Sequence, residues 1–281
     1  MIMTTRRAFR LSFEFFPPKT DKGQGTLLET AAALSAHDPV FFSVTYGAGG
    51  STRDRTFEAV AGLAAAGHDV APHLSMGSDD KRAVQALVDR YLSLGIARMV
   101  ALRGDIPSGF GSTRHVSYAI NLVTLLRAYA GDAFEIEVAA YPEVHPDAPS
   151  PDMDIEHFRR KVAAGANGAI TQYFYNADAY FDFVERANVA VPIVPGIMPI
   201  TSYANLVRFS DGCGAEIPRW IRSRLAAYQN DDESLKAFGT DVVATLCQRL
   251  IDGGAPGLHF YTLNQSTPTL AVLDRIALPT A

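Results

Sequence analysis

Leu11-Ser12-Phe13-Glu14-Phe15-Phe16, closed by Pro17-Pro18, is an aromatic-rich run of strand length ended by residues that break strands. Its single charged side chain is Glu14. A carboxylate in a buried strand either keeps its proton or takes a cationic partner, because burying the bare charge is costly. A kept proton suits a general acid at neutral pH. A Lys or Arg from a neighbouring strand would instead make Glu14 half of a structural pair. This segment alone leaves both open.

Working outward, runs of the same kind recur at 40–45, 69–74, 98–103, 134–140, 168–173, 191–195 and 257–262, making eight with 11–16. Helical patterns lie between them at 26–36, 54–66, 80–94, 118–130, 154–164, 177–187 and 234–252. In 80–94 the stripe Val84, Leu87, Val88, Tyr91 and Leu92 follows the helical period, with Asp79, Asp80 and Lys81 at its start. Near-continuously apolar strands alternating with helices predict a parallel sheet covered by helices. Eight such units in 281 residues fit an α/β fold of the (β/α)₈ TIM-barrel type better than an open doubly wound sheet. The seventh unit is enlarged: 196–256 carries a further helical patch at 217–228 around Trp220, the only tryptophan. Without a linker, repeat or low-complexity stretch, residues 1–281 are expected to form a single domain.

Composition narrows the class. The chain is 48% hydrophobic and 20% charged, with a net charge of -5 and no long run of like charges. Neither a nucleic acid nor an anionic membrane is expected as partner. The cluster Arg6, Arg7 and Arg10 reads as a solvated tail. No apolar stretch reaches the ~18 residues of a membrane span, and the N-terminus lacks a signal-peptide core. The two cysteines, Cys213 and Cys247, are too few for a disulfide framework and read as reduced residues of a cytoplasmic protein. No CxxC, HExxH or other dense ligand spacing occurs, so no metal is expected.

In such barrels chemistry sits at the C-terminal strand ends. Those ends are Glu14, Thr45-Tyr46, His73, Arg103-Gly104-Asp105, Tyr141-Pro142-Glu143, Thr171-Gln172, Pro195-Gly196 and Tyr261-Thr262. Gly47-Ala48-Gly49-Gly50-Ser51-Thr52 is either an anion cradle before a helix or a plain loop with a Ser/Thr cap, Arg53-Asp54-Arg55 then being a solvated first turn. Arg103 and Asp105 flank a glycine and form either an internal ion pair or a ligand contact. In Tyr141-Pro142-Glu143-Val144-His145-Pro146 two prolines fix a loop bearing a stacking ring and an imidazole. Asp154 and Lys161 lie two helical turns apart, on one side of a helix, as a grip for ribose or diphosphate or as two solvated charges. Gln172 can read the edge of a heterocycle, and His73 taken singly reads as a core histidine. No Ser-His-Asp or Cys-His arrangement is present at the strand ends.

Together these segments, with Ala164-Gly165-Ala166-Asn167, Pro192-Ile193-Val194-Pro195-Gly196-Ile197-Met198-Pro199 and His259-Phe260-Tyr261-Thr262-Leu263-Asn264, resemble the methylenetetrahydrofolate reductase family in order and over nearly the whole chain. The resemblance implies a barrel with FAD across its mouth and hydride transfer between NAD(P)H, flavin and methylene-tetrahydrofolate. It implies that Glu14 is the acid that protonates folate N10 and opens the five-membered ring. Asp105 would stabilise the resulting cation and tune the flavin, Gln172 would bind the pterin, and Phe209 would stack on folate or nicotinamide. The FAD contacts implied are Thr45, His73, Arg103, Gly104, Asp105, Tyr118, Ala119, Tyr141, His145, Asp154, His157 and Lys161. A homo-oligomer of the bacterial type, comprising the catalytic barrel without allosteric control, is expected.

Three positions depart from the family pattern. Ser75 replaces a common threonine, and His157 stands where some relatives carry Asn near the adenosine end. Gln265, expected to touch substrate, follows Asn264 where many members have Arg. Two alternatives to the folate reading stand beside it. Another FAD barrel, of the proline-dehydrogenase kind, would need an arginine pair at the mouth that the sequence does not present. A flavin-binding docking subunit would have no need of Glu14, Asp105 and Gln172.

Overall fold

The computed structural model describes residues 9–47, 52–76, 81–103 and 118–279. Strands and helices alternate: β1 (Arg10–Phe15), α1 (Asp21–Ser35), β2 (Phe41–Val44), α2 (Arg53–Ala65), β3 (Val70–Ser75), α3 (Lys81–Ser93), β4 (Arg98–Leu102), α4 (Ala119–Ala130), β5 (Glu135–Ala140), α5 (Pro151–Ala163), β6 (Gly168–Thr171) and α6 (Ala177–Ala187). The chain then runs through β7 (Ile193–Val194), β8 (Gly196–Ile197), α7 (Tyr203–Cys213), α8 (Arg219–Ala227), α9 (Asp232–Asp252), β9 (Gly257–Tyr261) and α10 (Ser266–Leu273).

All strand pairs are parallel, in the order β7-β6-β5-β4-β3-β2-β1-β9-β8. The two ends of that order, β7 and β8, are separated in the chain only by Pro195. The expected seventh strand, 191–195, is thus found as β7 and is continued past Pro195 by β8, so the sheet closes on itself as the predicted barrel. Proline has no N–H for the ladder, which splits the strand there. Its carbonyl still accepts from His259 N at 3.0 Å.

Alternation along β1 sorts side chains between two environments. Leu11, Phe13 and Phe15 are buried in the core that the helices cover. Arg10, Ser12 and Glu14 point into the barrel, as Arg10 demonstrates: its guanidinium meets Glu137 on β5, not a neighbour of β1, at 2.9 Å. Phe41, Ala71, Val100 and Ile170 form a small apolar cluster apart from the main core. Gly168 admits the Glu137 side chain, because a Cβ there would lie 2.2 Å from Oε2.

Several expectations need correction. Arg10 is the barrel's floor rather than a solvated tail; Arg6 and Arg7 lie outside the described residues. In α3, Val84, Leu87, Val88 and Tyr91 are buried, but Leu92 is 37% exposed and off the buried stripe. Asp79 and Asp80 are outside the described residues. The expected helical patch at 217–228 is α8, which packs through Ile221 and Leu225 and leaves Trp220 59% exposed. Helix α1 begins five residues before the expected 26, capped by the Thr20 hydroxyl, which accepts from Gly23 N. Helices α7 and α10 were not among the expected helical patterns. No helix among the described residues is long and apolar enough to cross a membrane.

Candidate functional site

Glu14 is the penultimate residue of β1, with its side chain 11% exposed. Its neighbours are two histidines rather than the Lys or Arg of a structural pair. Oε2 lies 3.3 Å from His73 Nε2 on β3 and 3.4 Å from His259 Nε2 on β9. Burial pushes the His73 pKa below the usual imidazole range, against the opposing pull of Glu14. The end of β1 is clamped by the turn after β9. The Thr262 hydroxyl donates to Glu14 O at 2.6 Å. Asn264 accepts from Phe16 N at 2.7 Å and donates to Phe16 O at 2.9 Å. To face back on β1, Leu263 and Asn264 adopt left-handed backbone, at φ 51 and 58.

At the mouth a cavity of 570 Å³ opens, a volume typical of small-molecule sites. It gathers Arg103 after β4, Tyr118 and Ala119 at the start of α4, Tyr141 and His145 after β5, and Asp154, His157 and Lys161 along α5. All eight were expected cofactor contacts. Tyr46, Asp147 and Arg160 join them, as does Ser75, one of the three departures from the family pattern. The expected contacts Thr45 and His73 do not line this cavity. Gly104 and Asp105 lie outside the described residues, as do 48–51 of the glycine-rich turn. Thr52 does not cap α2 with its side chain. Its hydroxyl accepts from Gly47 N at 2.7 Å, and Arg53, no solvated residue, donates to the Tyr46 hydroxyl.

The loop after β5 is built for orientation. Val144 sits at φ 72, strained for a β-branched residue and the kind of strain found at functional sites. Asp154 accepts from His145 N at 2.9 Å, so the two ends of the loop are tied together. His145 Nδ1 accepts from Asp147 N at 3.0 Å, which places the neutral ring's proton on Nε2. Burial and the nearby Arg103 lower the His145 pKa. Arg103 pairs with Asp147 at 2.8 Å, and its hydrogen bond holds the Asp147 carboxyl below the usual range.

Lys161 is not the solvated charge its sequence position allowed. It is half-buried and donates to Ala139 O. Burial lowers its pKa to about 8, with Asp154 pulling the other way. The Asp154 carboxylate is shared with the loop backbone, so Lys161 is a half-buried cation short of negative charge. That donor set, with Arg103, Arg160 and three tyrosine rings, fits a ligand carrying both anionic and planar parts.

The expected substrate contacts lie elsewhere. Gln172, just past β6, accepts from Tyr173 N at 3.0 Å through its own Oε1. Phe209 is half-buried on α7, with the Arg208 guanidinium 5.1 Å from its ring centre. Tyr173 and the neighbouring Ser210 join β6 to α7 by a 2.9 Å hydroxyl contact. Gln265 is exposed at the N-terminal cap of α10 and makes no side-chain cap bond. Sequence reasoning missed His259 and Ser12 as partners of Glu14. The available signal was alternation in 257–262, which puts His259 and Tyr261 on one face.

Comparison with known proteins follows the same line. A family model described as methylenetetrahydrofolate reductase matches residues 2–277. The 5,10-methylenetetrahydrofolate reductases of Salmonella typhimurium and Escherichia coli are each 39% identical over 272 residues, covering 95% of this chain and 90% of theirs. A probable methylenetetrahydrofolate reductase (NADH) of Oryza sativa is 36% identical, with 95% of this chain matching 48% of that protein. Among solved structures, a Clostridium thermocellum protein described as binding two copies of 5-methyl-5,6,7,8-tetrahydrofolic acid superposes with a TM-score of 0.68, over 96% of this chain and 94% of that one. At 16% identity that likeness is one of fold.

Proposed function

The chain belongs to the methylenetetrahydrofolate reductase family, and on that premise we propose that it interconverts 5,10-methylenetetrahydrofolate and 5-methyltetrahydrofolate, with bound FAD and with NAD(P)H as hydride partner. The observation that carries this reading is the convergence of eight expected cofactor contacts from four chain segments on one cavity at the barrel mouth. FAD, when bound there, supplies the ring that relays a hydride between nicotinamide and the folate one-carbon unit.

The chain's own residues do the rest. Lys161, Arg103 and His145 meet the diphosphate, while Tyr141 and Tyr118 offer faces to planar rings. Glu14 gives its proton to folate N10 as the five-membered ring opens, leaving a cationic one-carbon centre that accepts the hydride. Asp105 stabilises that cation, Gln172 orients the pterin, and Phe209 and Gln265 contact the substrates at the rim. The balance is one hydride from NAD(P)H and one proton, for each methylene group reduced to methyl. A docking subunit would not need a carboxylate held between two imidazoles. We place the protein in the cytoplasm, in keeping with its two free cysteines, and as a homo-oligomer, which light scattering would measure.

Anaerobic stopped-flow of the FAD-loaded protein tests the reading. NADH or NADPH should bleach the flavin, and methylenetetrahydrofolate should restore its colour. Bleaching with no recovery on folate addition would refute the folate half of the proposal. A purified protein that neither carries nor takes up FAD would refute the cofactor.

A further inference from the structure

We propose that His259, fixed by Ser12, is a positioning residue for Glu14: its Nε2–H donates to Oε2 and thereby directs the acid's proton to Oε1. This rests on the reading of Glu14 as the folate acid.

An ionised carboxylate has nothing to donate, so its contact with His259 Nε2 at 3.4 Å needs the ring proton on that nitrogen. The neutral ring then shows a lone pair at Nδ1, and the Ser12 hydroxyl, 2.8 Å away, becomes its donor. Ser12 and His259 are register partners on adjacent strands, 3% and 0% exposed, so water does not compete for either. On the other side His73 Nε2, buried without a hydrogen-bond partner, stands 3.3 Å from the same oxygen. Oε2 therefore faces two imidazole nitrogens, whereas Oε1 has no hydrogen-bond partner among the described residues. A carboxyl proton on Oε2 would meet the His259 N–H head on, but on Oε1 it would not.

The other groups facing Glu14 leave this arrangement undisturbed. Ser43 opposes it on β2, uncharged, and the Tyr261 hydroxyl on β9 is committed to Thr171 O at 2.6 Å. Its only ion-pair contacts among the described residues are the two histidines. The consequence is an acid whose proton sits on one defined oxygen, a geometric precondition for transfer to a fixed substrate atom.

The test uses the FAD-loaded protein and three variants, His259→Leu, His259→Gln and Ser12→Ala, beside Glu14→Gln. Nitrogen NMR of histidine-labelled protein should show His259 with its proton on Nε2, and Ser12→Ala should mix the tautomers. His259→Leu should slow the folate half-reaction about tenfold or more and move its pH midpoint upward, because the carboxylate loses a donor. Reduction by the nicotinamide should stay within about twofold of wild type, a half-reaction that asks no proton of Glu14. His259→Gln, which still presents an N–H, should recover part of the loss. A wild-type His259 protonated on Nδ1 overturns the proposal, as does a folded His259→Leu protein with an unchanged pH midpoint. Should His259→Leu not fold, Ser12→Ala decides: a wild-type tautomer and pH profile there overturn it equally. If Glu14→Gln leaves the folate half-reaction intact, the acid reading itself falls, whereas a failure of His259 alone leaves Glu14→Gln inactive.

Discussion

Lys161 concentrates the electrostatics of the cavity in one side chain. Its pKa of about 8, against 10.5 for an ordinary lysine, measures what burial costs the charged form. Below about pH 8 the ammonium is charged in folded and unfolded states alike, and the folded state bears the full cost. Between about 8 and 10.5 the folded state releases its proton first, so stability recovers as pH rises. Cofactor-free Lys161→Met should therefore be more stable than wild type at neutral pH, by on the order of 3 kcal/mol at most, with the gap closing by about pH 10. Urea denaturation at the two pH values measures this. An anionic ligand reverses the balance by favouring the charged form. FAD affinity, followed by flavin fluorescence, should fall as pH rises through about 8 and lose that dependence in Lys161→Met. Equal pH dependence in both proteins would remove Lys161 from the anion site. At the rim, Gln265→Arg should tighten folate by roughly 1 kcal/mol at low salt, since the position is exposed and surface ion pairs are seldom worth more. The gain should shrink with added salt, and identical dissociation constants at low salt would mean that residue 265 does not face the ligand.

At the scale of elements, the turn after β9 does for β1 what another strand residue would do. Asn264 supplies both a donor and an acceptor to the Phe16 backbone, from a left-handed conformation that asparagine tolerates and alanine resists. Asn264→Ala loses the bonds and adds strain, and should cost about 1–2 kcal/mol. Asn264→Gly loses the bonds alone and should cost less. Both should slow the folate half-reaction more than flavin reduction by nicotinamide, since Glu14 lies on the clamped strand. Equal slowing would assign the clamp to stability only. The strands were legible in sequence because their apolar runs are continuous. Helix α1 extends before its recognisable pattern because Gly23 and Gly25 disguise its first two turns. Helix α10 is hard to recognise in sequence because Pro268 stands in its first turn and it lacks a polar face, and α7 because it buries only Leu206 and Ser210. Strand-end residues such as Arg103 and Tyr141 could be read as cavity candidates from position alone. The pairing of Ser12, His259 and Glu14 could not, because it depends on register between strands 245 positions apart.

Across the whole molecule the barrel interior runs from an ionic floor to a reactive mouth. The floor is the Arg10–Glu137 pair, with Glu137 2% exposed and its Oε2 unpartnered. Burial raises the Glu137 pKa above the usual carboxylate value despite the opposing Arg10. A raised carboxyl pKa costs the folded state stability above that pKa, and the cost fades as pH falls toward 4.5. In barrels of this kind the N-terminal face serves stability and the C-terminal face chemistry. Arg10→Met alone strands a buried carboxylate and should cost about 3–5 kcal/mol in urea denaturation near pH 7, with a smaller loss near pH 5. Removing both charges, as Arg10→Met with Glu137→Leu, leaves no buried ion to compensate and should restore wild-type stability or exceed it. At a temperature where every variant is folded, neither replacement should alter the pH profile of the folate half-reaction, because the ion-pair contacts of Glu14 among the described residues are His73 and His259 and neither residue of the floor. A double variant as unstable as Arg10→Met would show that the floor contributes through its specific hydrogen bond. A shifted folate pH profile would show that charge at the floor is felt at the mouth, by way of His259, which is within electrostatic reach of Glu137 and in contact with Glu14.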